Sequence, residues 1–199
     1  VAKIKFTKNE LKKQKDSLKR FLRYLPTLML KKQQLQMEIR KIEAQLAELR
    51  RNREHLFQEI LRWIAVFGED VSFSELLTVA SVDTEIGNIA GVDIPVFQDI
   101  RFEVAVYNLF DLPLWVDTAI EKVKELASMD VRNSILTKQV ELLGEELRIT
   151  SQRVNLFEKV KIPETRENIR MIQIYLGDEQ TAAVVRGKIA KKKLVRVSQ

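Results

Sequence analysis

The chain has 199 residues, room for one domain or a small pair, and its 45% hydrophobic and 31% charged content excludes a disordered polypeptide. It has no cysteine, which excludes a disulfide framework and a thiolate metal site. The net charge of +6 is uneven: residues 1–32 carry eleven Lys/Arg and two acids, and residues 186–199 carry six Lys/Arg and no acid.

The first element opens at Phe6-Thr7-Lys8-Asn9-Glu10-Leu11, a capping box with Thr7 as N-cap and Glu10 at the third helical position. Two apolar columns then run seven residues apart. One is Leu11, Leu18, Leu25, Lys32, Ile39, Leu46, Arg53, Ile60; the other is Phe21, Leu28, Leu35, Ile42, Leu49, Leu56, Trp63. With Gln14 included, only Gln14, Lys32 and Arg53 are polar, so the pattern predicts a coiled-coil helix over residues 1–67. Gly68 is its expected stop. Lys32 and Arg53 are read either as register pins or as side chains whose stems lie on the seam while their charges reach water.

Residues 68–114 differ in kind and predict a small head. They hold three of the six glycines, two of the four prolines, and the β-type runs Leu77–Val82, Ile86–Val92, Ile94–Phe97 and Ile100–Tyr107. Phe102, Val104 and Val106 alternate with Arg101, Glu103 and Ala105, as in a half-buried strand. A β-hairpin is expected, with a short helix around residues 72–78. So small a unit lacks its own core and is expected to pack on the helix ends.

Residues 115–199 predict a second long helix. Apolar or small residues recur at Leu136, Val140, Leu143, Leu147, Thr150, Val154 and Phe157, and again at Ile169, Ile172 and Leu176. Pro163 stands between the two sets, so a kink or a break is expected there. Two seams around one small module imply an antiparallel helical hairpin. The register, with facing numbers adding to about 180–196, places Pro26 near residues 154–170, a window that holds Pro163, so the two prolines are expected at one level with both basic termini at one tip. The expected fold class is mainly α: a long antiparallel two-helix coiled coil with a small β-hairpin-containing head between its helices.

Sites for chemistry are few. His55 is the single histidine and lies between seam positions. Gly187-Lys188 lacks the partner glycine and Ser/Thr of a phosphate loop, having Ala182 and Ile189 in those places. Acid pairs such as Glu145-Glu146 read as solvated faces. No cofactor or metal is expected. The basic ends could meet phosphates, but no aromatic residues interleave with the C-terminal cations, so nucleic acid is not the expected partner. No apolar run reaches the roughly 20 residues of a bilayer span, and VAKIKFTKNE lacks the apolar core of a signal peptide. Membrane association is expected only through partners.

Several segments carry a family likeness. Ser151-Gln152-Arg153-Val154-Asn155-Leu156-Phe157-Glu158, followed by Ile162-Pro163, looks like an R-R-V-N-A-L-E motif with its I-P. Asn88-Ile89-Ala90-Gly91-Val92-Asp93-Ile94-Pro95-Val96-Phe97 looks like an N-x-x-G-V-x-x-P segment, and Leu25-Pro26 with Leu28–Lys32 like an L-x-x-L-x-x-K region. Together they resemble the D subunit of V-type and archaeal-type rotary ATPases, across essentially the whole chain. Gln152 replaces an arginine and Leu156-Phe157 an Ala-Leu.

The resemblance implies a non-catalytic central rotor shaft. It would stand within a hexamer of catalytic and non-catalytic nucleotide-binding subunits (A and B). It would bind the small F subunit and the funnel subunit (C or d) above the membrane ring, and would couple ATP hydrolysis or synthesis to H+ or Na+ transport. The implied location is peripheral, on the cytoplasmic side of the membrane. Arg153, Asn155, Glu158, Lys188, Lys191 and Lys192 are the candidate contacts with the hexamer. Gly91, Val92, Pro95, Val96 and Phe97 are the candidate contacts with the head's partner. A non-rotary coiled-coil scaffold or adaptor is the alternative.

Overall fold

The computed structural model describes residues 4–67, 76–106, 113 and 115–197. The chain runs α1 (Lys8–Phe67), β1 (Leu77–Ile89), β2 (Val92–Val104), α2 (Val116–Asn155), a π-helical turn (Leu156–Lys161) and α3 (Ile162–Val197). This is the expected fold class, long helices at both ends of the chain with a two-stranded antiparallel hairpin between them. The expected helix near residues 72–78 lies outside the described residues as far as 75; Leu77 and Thr78 already belong to β1. Gly68, the expected helix stop, also lies outside them.

The cap of α1 forms as its sequence dictates: the Glu10 backbone N–H donates to Thr7 Oγ1 at 3.2 Å. Along α1, each described position of the two heptad columns is buried or half-buried. Each apolar side chain taken fully out of water there contributes about 1.5–3 kcal/mol. Contacts divide the chain into two compact units, residues 32–149 and residues 1–31 with 150–199.

In the 32–149 unit, α1 and α2 run antiparallel. Arg50 donates to Asn133, Arg53 pairs with Asp130, and Glu59 lies 3.9 Å from Lys122. Leu35, Ile42, Leu143 and Ile94 form the core, and Ile94 comes from the hairpin. The hairpin therefore does not simply sit on the helix ends. Its base, Leu77 and Val104, packs on Trp115, Val116, Ala119 and Ile120 at the start of α2. Its tip, Ile89 to Val92, packs beside Leu35 and Leu143. Strands of 13 residues reach about 40 Å, and Ile120 to Leu143 spans about 35 Å of helix, so the two lengths match. A sheet with only two strands has no core of its own and takes one from the helix faces.

The hairpin turns through Ala90 (φ 52°) and Gly91 (φ 78°), the two left-handed positions of a two-residue loop. Asn88 braces it: its Oδ1 accepts from the Gly91 N–H at 3.0 Å, and its Nδ2 donates to Asp93 Oδ1 at 2.7 Å. Phe102 and Val104 face inward and Arg101 and Glu103 outward, as alternation predicts. The strand ends at Val104, and Val106 beyond it is fully exposed.

In the other unit, Phe6 packs on Tyr175 with ring centroids 5.0 Å apart, and Phe21 on Phe157 at 5.2 Å. Facing residue numbers thus add to about 180 in an antiparallel pair. Pro26 consequently faces about residue 153, and Pro163 lies about ten residues further along. The facing sum falls at the low end of the register expected from sequence, and the two prolines do not share the level expected for them.

The helical backbone continues to Pro163 through a wide turn. The N–H of Ile162 donates to the Phe157 carbonyl, five residues back where an α-helix would reach four. Pro163 has no N–H to give, and its ring needs space at the preceding turn. The π turn ends at Lys161, two residues before it. Thr165 Oγ1 donates to the Lys161 carbonyl at 2.6 Å, so that carbonyl has a side-chain partner.

Candidate interaction surfaces

Arg153 and Asn155 close α2, and Glu158 lies within the π turn; all three are exposed. Val154 between them is buried and Phe157 is held by Phe21, so the backbone that presents these polar groups is anchored from behind. Leu156 and Val160 also face solvent, at 44% and 48% exposure. The surface at the wide turn therefore mixes charge with apolar side chains.

Lys188, Lys191 and Lys192 are exposed on α3. Leu176 is half-buried, and residues 177–193 after it are all exposed. The register accounts for this. With facing numbers near 180, nothing in α1, which begins at Lys8, reaches past about residue 172. Lys12, Lys13, Lys19, Arg20 and Arg23 in the same unit line a shallow cleft on α1, with Asp16 the single acid among them. Both basic clusters read from sequence thus belong to one unit.

The five head residues have mixed situations. Gly91 is exposed at the turn. Val92 and Val96 pack against the Leu35–Leu143 core. The Pro95 carbonyl accepts a hydrogen bond from the buried Gln139 side chain of α2. The Arg132 guanidinium lies 4.7 Å from the Phe97 ring centre, a cation–π contact. Beside them is an open groove of about 570 Å³, lined by Ile42, Leu49, Ile89, Ile94, Phe97 and Leu136 among others.

Electrostatics in both units is mild. Arg53, of the polar seam positions, is held charged more strongly than usual by its hydrogen bond and attraction to Asp130. The hydrogen bond from Arg148 holds the Glu145 carboxyl below its ordinary range. Among the described residues, no group of His, Cys, Asp or Glu could hold a metal ion, and no helix is long and apolar enough to cross a membrane.

Sequence reasoning did not find the π turn, although a signal was present. The 3–4 spacing through Thr150, Val154 and Phe157 continues to 161, 164, 168, 171 and 175. The inward apolar residues are instead Ile162, Ile169, Ile172 and Leu176, with Thr165 beside them, each one later, although Asn168 is also buried and Tyr175 also packs on Phe6. One surplus residue sits between Phe157 and Ile162, and the wide turn absorbs it.

Residues 10–192 match the family of ATP synthase D subunits. The chain is 54% identical to the V-type ATP synthase D subunit of Borreliella burgdorferi over 196 residues, covering 98% of this chain and 97% of that one. It is 36% identical to the protein of that name in Chlamydia muridarum, covering 96% of each chain. It is 34% identical to the one in Chlamydia pneumoniae, covering 96% of this chain and 93% of the other.

Proposed function

The chain belongs to the family of ATP synthase D subunits, and from that membership we propose that it is the central rotor shaft of a V-type or archaeal-type rotary ATPase. The chain would carry no reaction of its own. It would stand among the catalytic and non-catalytic nucleotide-binding subunits (A and B), with the small F subunit and the funnel subunit (C or d) nearer the membrane ring. It would be a peripheral component on the cytoplasmic side, coupling ATP hydrolysis or synthesis to movement of H+ or Na+.

The observation that supports this best is the bare end of α3. Residues 177–193 are all exposed, yet they include Val184, Val185 and Ile189, each about half exposed. A helix exposed all round with apolar residues on it fits a place where another protein surrounds it. Arg153, Asn155 and Glu158 at the wide turn, with Lys188, Lys191 and Lys192 beyond, are the proposed contacts with the hexamer. At the other unit, Gly91, Val92, Pro95, Val96 and Phe97 mark the hairpin region proposed to meet the head's partner. Since four of the five are engaged internally, they would shape that surface more than supply its free side chains.

The mechanism is differential contact. An asymmetric shaft meets equivalent catalytic interfaces with different faces. A contact moves a catalytic site between open and closed only by the difference in its binding energy to the two states, about 1.4 kcal/mol for each tenfold shift. Positive groups on exposed helix interact through screened attractions, which favours passage from one contact to the next.

Co-purification tests the reading. The tagged chain should bring down the nucleotide-binding subunits and the F subunit at one copy per complex. A stable homodimer that ignores those proteins would favour the scaffold alternative and sink the rotor.

A further inference from the structure

We infer that the wide turn at Leu156–Lys161 is a torsional joint, set by one surplus residue and Pro163, at which α3 can twist against the seam that ends at Phe157; its functional part rests on the rotor reading.

Three observations carry it. Beyond the turn the buried apolar positions, Ile162 and Ile172, fall one residue later than the phase that ends at Phe157, with Asn168 of the earlier phase buried beside them, and the i to i−5 turn that takes up the extra residue is confined to six residues. No residue of the turn is buried, and Leu156 and Val160 face solvent. The stretch therefore has little side-chain burial to resist opening, and its i to i−5 bonds are the weaker helical type. The facing helix is weakened nearby as well. Pro26 cannot donate to the Leu22 carbonyl, and it faces about residue 153, just before the turn begins. Both helices of the pair thus lack full backbone bonding within about ten residues of one another, while buried Val154 and Ile172 hold the flanks and Phe21 packs on Phe157 at the start of the turn.

Cause and placement separate. The surplus residue requires a wide turn somewhere. Pro163 fixes where, because an α-helical turn there would bring its ring against the Lys159 carbonyl. Deleting Val160 together with Pro163→Ala removes both and leaves an uninterrupted 3–4 seam. Pro163→Ala alone keeps the surplus residue and so keeps a wide turn, no longer fixed in position.

The test is amide hydrogen exchange on the full chain, followed by transport in the reconstituted complex. In the natural chain, amides of residues 157–162 should exchange roughly tenfold or more faster than those of residues 150–154 and 168–172. The deletion variant should even out that contrast and melt higher. In the complex it should keep ATP hydrolysis while coupled ion transport falls several-fold. Uniform exchange in the natural chain, a lower melting temperature for the deletion variant, or full coupling by that variant would each overturn the joint. Failure to co-purify with the nucleotide-binding subunits would instead count against the rotor reading and leave the exchange result to be judged alone.

Discussion

Arg53 of α1 and Asp130 of α2 meet through two hydrogen bonds, Nε to Oδ1 at 2.9 Å and Nη2 to Oδ2 at 3.2 Å, from a position where the heptad calls for an apolar residue. The guanidinium also lies 5.2 Å from the Phe57 ring centre. At 34% exposure for Arg53 and 49% for Asp130, water screens the pair, so its value lies in geometry more than in stability. A planar fork fits one carboxylate in one register. Arg53→Lys should therefore lower the melting temperature only slightly. A double-mutant cycle with Asp130→Asn should still give a measurable coupling, and no coupling would remove the register role.

The hairpin should report on one buried leucine. Leu143 has no exposed surface and touches the core that Leu35, Ile42 and Ile94 complete. Leu143→Ala should cost about 2–5 kcal/mol in urea unfolding, since the cavity has walls from two helices and a strand. Ile86→Ala on the same hairpin should change stability by less than about 0.5 kcal/mol, because Ile86 is 78% exposed. Faster protease cleavage within β1–β2 in Leu143→Ala, and not in Ile86→Ala, would place the effect at hairpin docking.

Two glycines of the hairpin should fail for different reasons when changed to alanine. A Cβ on Gly87 would stand 2.8 Å from the Val96 Cγ2, and Val96 is packed on the helical core, so Gly87→Ala should cost about 1–3 kcal/mol by overpacking. A Cβ on Gly91 meets nothing within 4 Å, but its φ of +78° disfavours any side chain, so about 1–2 kcal/mol should come from the backbone alone. Combining Gly87→Ala with Val96→Ala should recover part of the first cost. The same second change should not rescue Gly91→Ala, and equal rescue would contradict the distinction.

Acid titration should show one small local contribution. The Glu145 carboxyl is held below its ordinary range by Arg148, so the stabilisation it gives is present above the ordinary carboxylate pKa. That stabilisation is lost as pH falls through the lowered value. Both side chains are exposed, at 58% each, so the effect should be slight and should shrink in salt. Glu145→Gln should flatten the acid limb of the melting curve without altering the neutral region. A change near neutral pH would mean the pair does something else.

The long helices were legible because burial repeats along them: each described apolar position in the α1 columns is inward, and the Thr7–Glu10 cap forms. The hairpin's strands were legible as short runs, but not as two 13-residue strands: the expected run Ile86–Val92 crosses the turn at Ala90-Gly91, and the register shift at Asp83/Thr84, in the gap after Val82, is marked by no glycine or proline. Its docking place could not be read from local pattern. Ile94 joins Leu35 and Leu143 by a contact distant in sequence, and strand period 2 does not name the surface it meets. The wide turn was written in the one-residue phase slip after Phe157, but Pro163 drew attention to a break. Among the candidate surface residues, exposure at Arg153, Asn155, Glu158 and the three lysines is what a coiled-coil pattern implies for positions off the seam, and the pattern of one chain does not name what they meet.

Removing residues 186–199 should separate folding from coupling. Residues 177–193 bury nothing within the chain, so the truncated protein should unfold within about 0.5 kcal/mol of the full chain. The deleted stretch holds six Lys/Arg and no acid, which takes the formal net charge from +6 to zero. A chain with no net charge is prone to self-association, which could imitate a loss of function. A triple change, Lys188→Gln with Lys191→Gln and Lys192→Gln, avoids this by keeping the helix and a net charge of +3. Both variants should retain binding of the head's partner, because the hairpin and its core lie in the other unit. Both should weaken coupling of ATP hydrolysis to ion transport, the truncation more, since it also removes Ile189. If the triple variant couples normally while the truncation does not, the contact is made by helix length and apolar surface and not by charge. Loss of head-partner binding in either variant would contradict the assignment of the two surfaces to different units.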